Sequence, residues 1–164
     1  MISKILQDAI NEQINKEFFS SYLYLAMAAY FEGMNLPGFA HWMRLQEAEE
    51  REHAMKLFDF LLDRGGSVTL KAIDAPATPW KNSLEVFTET AAHEAEVTAS
   101  IHALYELALK EKDYPLQVLL QWFISEQVEE EKNAAEIVAS LKMIESRETA
   151  ILHLDHRLSK RSGS

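Results

Sequence analysis

Five residues of metal-binding type, Glu17, Glu50, His53, Glu94 and Glu130, fall on stripes that are otherwise largely apolar. Alternating steps of three and four trace a bundle-facing stripe in each of four segments. The first reads Ile10, Ile14, Glu17, Ser21, Tyr24, Ala28, Phe31, and the second Phe39, Met43, Gln46, Glu50, His53, Leu57, Phe60. The third reads Leu84, Phe87, Ala91, Glu94, Thr98, Ile101, Tyr105, and the fourth Leu116, Leu120, Phe123, Gln127, Glu130, Ala134, Ile137, Leu141. Every stripe is apolar at its ends and acidic near its middle, so the acids share one level whichever way each helix points. Glu17 alone would be an ordinary half-exposed side chain, and His53 alone a hydrogen-bonded core histidine. Four acids at one height are a different matter, because ionised carboxylates in a bundle interior each cost several kcal/mol in desolvation and repel one another. Two divalent cations, with a charge of about +4, would neutralise them. Glu50-Arg51-Glu52-His53 supplies a Glu-x-x-His spacing that aims a carboxylate and an imidazole from one helical face. Oxygen-rich ligation with one imidazole suits iron or manganese and tolerates zinc.

Helices must position these groups, and the breakers delimit them at about 4–33, 38–64, 83–112, 116–144 and 147–158. Ser3 is the expected N-cap of the first and Gly33 its expected C′ residue. Pro37-Gly38 starts the second, Gly65-Gly66 stops it, and Asp113-Tyr114-Pro115 separates the third from the fourth. Ser146-Arg147-Glu148 opens a short fifth helix with Ile151, Leu154 and Leu158 on one side, followed by a polar tail from Arg157 to Ser164. Short connections make helices one and two antiparallel, and likewise three and four. The link over residues 65–82 could cross roughly 59 Å, more than the roughly 40 Å of a 27-residue helix, so it can make helices two and three parallel. The expectation is an all-α four-helix bundle with a long crossover.

Composition narrows the chemistry. A chain of 164 residues, 48% apolar and 26% charged, suits one domain. Sixteen Lys plus Arg against twenty-six Asp plus Glu give a net charge of -10, which makes nucleic acid and anionic membrane surfaces poor partners. No cysteine is present, excluding disulfides, thiolate metal sites and cysteine nucleophiles. The first residues meet polar side chains too soon for a signal sequence, so the expected compartment is the cytoplasm. Phe19, Leu23, Ala26 and Tyr30 form a second apolar face on the first helix that an isolated bundle would leave in water, which suggests subunit contact. Trp122 is expected to pack beside the stripe. His41, His93, His102, His153 and His156 fall off the stripes as surface or interface residues.

Glu17, Glu50-Arg51-Glu52-His53, Glu94 and Ser125-Glu126-Gln127-Val128-Glu129-Glu130-Glu131-Lys132 resemble the dinuclear iron site of the ferritins, specifically the bacterial non-haem ferritins. The resemblance covers nearly the whole chain, 1–164, as a single ferritin-like domain. It implies a first iron held by Glu17, Glu50 and His53, with Glu50 bridging to a second iron at Glu94 and Glu130, and Gln127 beside the pair. It also implies a third iron at Glu49, Glu126, Glu129 and Glu130, while Glu131 stays solvated. Tyr24 either supplies an electron to the metals or is a buried phenol satisfied by a carboxylate. The implied activity is ferroxidase, oxidising Fe(II) with O₂ or H₂O₂ and storing ferric oxyhydroxide in a hollow cage of 24 subunits, with the fifth helix near a four-fold axis. Haem is not expected: the haem-containing relatives carry a second Glu-x-x-His on the fourth helix and a methionine where this chain has Arg51. The rivals are a small-oligomer dinuclear oxidase, oxygenase or peroxide scavenger without mineral storage, and a structural bundle without metal.

Overall fold

A computed structural model of the chain describes residues 1–145 and 147–163. Its helices are α1 (Lys4–Gly33), α2 (Pro37–Asp63), α3 (Ser83–Lys110), α4 (Tyr114–Ile144) and α5 (Glu148–Leu158), with no strand among the described residues. Ser3 caps α1 through its hydroxyl, Asn82 caps α3, and Asp113 caps α4, which starts two residues earlier than the sequence reading placed it. Gly33 is not the C′ residue. It lies inside α1, and Asn35 takes the left-handed conformation at φ 56° while Leu36 N–H bonds Phe31 C=O at 3.0 Å. Lys112 ends α3 the same way at φ 55°, and Gly65 ends α2 as expected. Ser146 and Ser164, read as part of the opening of α5 and the end of the tail, lie outside the described residues.

The crossover does connect opposite ends of the bundle. Ser67 and Thr69 hydrogen-bond Gln7 and Asn11 near the start of α1, whereas Trp80 packs edge-on against Tyr30 near its end. Helices α2 and α3 therefore run parallel. The same crossing corrects the expected second face of α1: Leu23 is buried, and Phe19, Ala26 and Tyr30 are half-buried, covered partly by His93 of α3 and Trp80 of the crossover. Tyr22 and Leu25 are the large apolar α1 side chains of this region left exposed. The α3 stripe is also broader and rotated. Val86, Thr90, Val97 and Leu104 are buried alongside Phe87, Glu94 and Ile101, while Leu84, Ala91, Thr98 and Tyr105 are half-buried.

Two apolar clusters fill the bundle. One gathers Met27, Phe31, Phe39, Met43, Phe87 and Leu141 with α5, and the other Ile10, Ile14, Leu57, Ile101, Leu120 and Phe123. Each fully buried side chain of this size contributes about 1.5–3 kcal/mol. Between the clusters lies a polar layer, and the two apolar halves hold it in place.

Helix α5 docks where α2 begins. The Asp155 carboxylate accepts the Phe39 backbone N–H at 2.9 Å, and a Cβ on Gly38 would fall 1.7 Å from the Asp155 carbonyl oxygen. Gly38→Ala must therefore push α5 away, at an expected cost of about 1–3 kcal/mol. Thermal melts and amide exchange across residues 148–158 would show it, and unaltered exchange would mean that Gly38 does not set this contact.

Candidate metal centre

The polar layer is built by residues buried between apolar turns of their own helices: Glu17 from α1, Glu50 and His53 from α2, Glu94 from α3, and Gln127 and Glu130 from α4. One ligand atom each from Glu17, Glu50 and His53 lies within 4.8 Å of the others. His53 Nδ1 is 3.4 Å from a Glu50 oxygen, and the imidazole is fixed edge-on by Trp122 and Phe123. Glu17 Oε2 and both Glu50 oxygens are buried without any hydrogen-bond partner in the protein. A buried carboxylate oxygen left unpaired is costly, and a cation is the partner that these three atoms together can accept.

The remaining acids are near enough to act on Glu50 but are already held. Tyr24 O–H donates to Glu94 Oε1, and Gln127 Nε2 donates to Glu94 Oε2 at 3.1 Å. Gln46 Nε2 donates to Glu130 Oε2 at 2.5 Å, and Gln13 Nε2 to Glu17 Oε1 at 2.8 Å. Gln127 thus presents its N–H to Glu94. Tyr24 touches the centre as a carboxylate-bound phenol. Of the acids read as a third site, Glu49 and Glu126 are half-buried and Glu129 is exposed. Glu49 lines one groove with His53 and Glu126 and another with Glu129. Sequence reasoning gave no role to Gln13 and Gln46, although each stands four residues before an acid of the layer. His93 is half-buried rather than a plain surface residue, sharing a 2.8 Å hydrogen bond with Ser20 and lying edge-on to Tyr24.

Burial and mutual repulsion govern the charge. Burial, then the charge of Glu50, pushes Glu17 up to about 8, and burial, then Glu94, pushes Glu130 to about 7. Burial followed by the charges of Glu94 and Glu130 holds Glu50 well above the carboxylate range. Burial also raises Glu94, against the donations of Tyr24 and Gln127, and drives the Tyr24 phenol well above its usual value. In the metal-free protein these acids keep protons that the unfolded chain loses near 4.5. Native protein then binds more protons than unfolded protein between that value and about 8, so stability falls as pH rises through the window. Calorimetry in chelator should show the melting temperature declining over that range, and divalent cation should remove the decline. A metal-free melting temperature that climbs with pH would contradict this charge balance.

Fold and centre together define a carboxylate-lined bundle of the ferritin type. Residues 7–144 match the family model described as a ferritin-like domain, and the chain belongs to that family. It is 44% identical over 161 residues to a Bacteroides fragilis (strain 638R) protein named bacterial non-heme ferritin, covering 98% of this chain and 100% of the relative. A Staphylococcus haemolyticus protein of the same name is 44% identical over 131 residues, 80% of this chain and 79% of its own. Among solved structures, an open-pore ferritin from the archaeon Archaeoglobus fulgidus superposes with a TM-score of 0.97 at 47% identity, covering 99% of this chain and 100% of that one. An engineered closed form of the Archaeoglobus fulgidus ferritin gives 0.98 at 46% identity, with both chains covered completely. No described helix is long and apolar enough to cross a membrane.

Proposed function

We propose that the protein is an iron-storing ferroxidase. Its substrate is Fe(II), bound in pairs: one ion at Glu17, Glu50 and His53, the second at Glu50, Glu94 and Glu130. The observation that carries this reading is the group of buried, unpartnered oxygens on Glu17 and Glu50, closed on one side by His53. Two Fe(II) give two electrons to O₂, which with two protons leaves as H₂O₂, or to H₂O₂, which with two protons yields two waters. The carboxylates hold both ions close while coordination positions stay open to oxidant. Gln13 and Gln46 orient Glu17 and Glu130 by each donating to one oxygen and leaving the other for the ion, and Gln127 with Tyr24 holds the Glu94 carboxylate. Tyr24, neutral and bound to Glu94, stands where it could give an electron to the pair.

Fe(III) then passes by Glu49, Glu126 and Glu129 into a shell of 24 subunits as oxyhydroxide mineral. The curated relatives are named ferritins, and the Archaeoglobus fulgidus neighbour is described as having an open pore, which supports a shell. No haem takes part in this reading. Gel filtration with an iron assay and an oxygen electrode tests it. A cage that consumes O₂ on Fe(II) addition and retains the iron is expected. A small oligomer that turns over without retaining iron would replace storage with a dinuclear oxidase, and an inert protein would remove both.

A further inference from the structure

The polar tail is not loose: Arg161 is docked along α2. Its guanidinium lies 4.5 Å over the Trp42 ring and donates to Gln46 Oε1 at 2.9 Å and to Glu49 Oε2 at 2.5 Å. Its backbone carbonyl accepts from His41 Nε2 at 2.8 Å. The side chains of the Arg161–Glu49 pair are only 18% and 13% exposed, far from the solvated ion pairs at the surface of this bundle.

Two consequences follow from the donor and acceptor inventory. Because Arg161 offers only N–H groups, Gln46 must turn its carbonyl toward the guanidinium and its amide N–H toward Glu130, where the bond is seen. A flipped amide would set donor against donor and acceptor against acceptor. Arg161 thus reaches Glu130 through Gln46 and Glu49 directly. Both carboxylates belong to the third iron site that the resemblance to the ferritins implies, and the inference rests on the passage of iron by Glu49 in the proposed function.

We propose that Arg161 is a positioning residue that serves as a removable internal counter-cation for Glu49, so that a third metal ion and the docked tail compete for one carboxylate. Competition of this kind is reciprocal: whatever the guanidinium contributes to holding Glu49 is subtracted from the affinity of the third ion. The first two ions do not need Glu49 and are filled with the tail in place. The third is filled only as the tail lifts.

Calorimetric titration of the assembled protein with Zn(II), a redox-silent probe, tests this without reference to oxidation. Arg161→Gln is expected to bind a third zinc per subunit at least tenfold tighter than the native protein, with the first equivalent, at Glu17, Glu50 and His53, unchanged. Arg161→Lys, which keeps the charge but not the fork, should fall between them. Glu49→Gln should lose the third zinc altogether. A merely structural ion pair would loosen the same region whichever partner is removed and weaken zinc in both, so the opposite signs are diagnostic. A third equivalent equally tight or weaker in Arg161→Gln overturns the proposal. If Arg161→Gln does not assemble, amide exchange of residues 159–163 in native protein decides: a rise only at the third equivalent supports competition, and none overturns it. Native protein that fails to bind even two zinc ions would instead count against the dinuclear centre.

Discussion

Glu50→Gln is expected to abolish rapid Fe(II) oxidation while leaving the assembled fold at least as stable in the absence of metal. The loss should exceed about 100-fold, because even removing an outer partner of a metal ligand costs about 10–100-fold, and Glu50 is the proposed bridge between both ions. Stability should not fall. Both Glu50 oxygens are buried without partners, and burial with the charges of Glu94 and Glu130 already works against its ionised form. A neutral amide of nearly the same volume relieves that repulsion. Stopped-flow absorbance after aerobic iron addition, with gel filtration and a thermal melt of the apoprotein, checks both halves. A normal fast phase in a correctly assembled variant would sink the bridging role.

His53→Ala should give the opposite balance. The imidazole is a terminal ligand of one ion, so that ion should bind about 100-fold more weakly while the ion at Glu94 and Glu130 stays within about tenfold of native. Stability should drop, because His53 packs edge-on against Trp122 and Phe123 at ring distances of 5.4 and 5.8 Å, and truncation leaves a cavity. A loss of about 2–4 kcal/mol is expected from similar buried truncations. Anaerobic metal titration and denaturant melts separate the two effects. Equal weakening of both ions would mean that His53 serves the layer as a whole rather than one site.

Much of this was legible in the residues. The stripe of α4 names every buried position of that helix; those of α1 and α2 leave out buried side chains such as Met27 and Ala54, and Phe60 is half-buried beside the buried Leu61, yet the acid at each midpoint survives as a buried side chain. What was not legible has physical causes. Lys112 occupies a left-handed position that glycine usually signals and nothing in its type announces it, whereas Asn35 is of a type that tolerates that conformation but was passed over for Gly33. The α3 helix buries two adjacent rows, so one stripe names only part of its core: Thr90 and Val97 were missed, while Ala91 and Thr98 sit at the edge. The covering of Phe19 and Tyr30 depends on the path of the crossover, which no periodicity encodes. The pair of Glu49 and Arg161 joins residues 112 positions apart, beyond any local pattern. Gln13 and Gln46 lay in view at four-residue spacing from acids, yet a glutamine on a helix has too many ordinary uses to stand out alone.

The proposed function requires that the buried acids of four helices hold a pair of iron ions. Crystals soaked with Fe(II) under anaerobic conditions, measured on both sides of the iron absorption edge, test it directly. Two anomalous peaks about 3.5–4 Å apart are predicted, one among Glu17, Glu50 and His53, the other among Glu50, Glu94 and Glu130. An iron-free polar layer in such crystals, or iron confined to surface acids, would contradict the account.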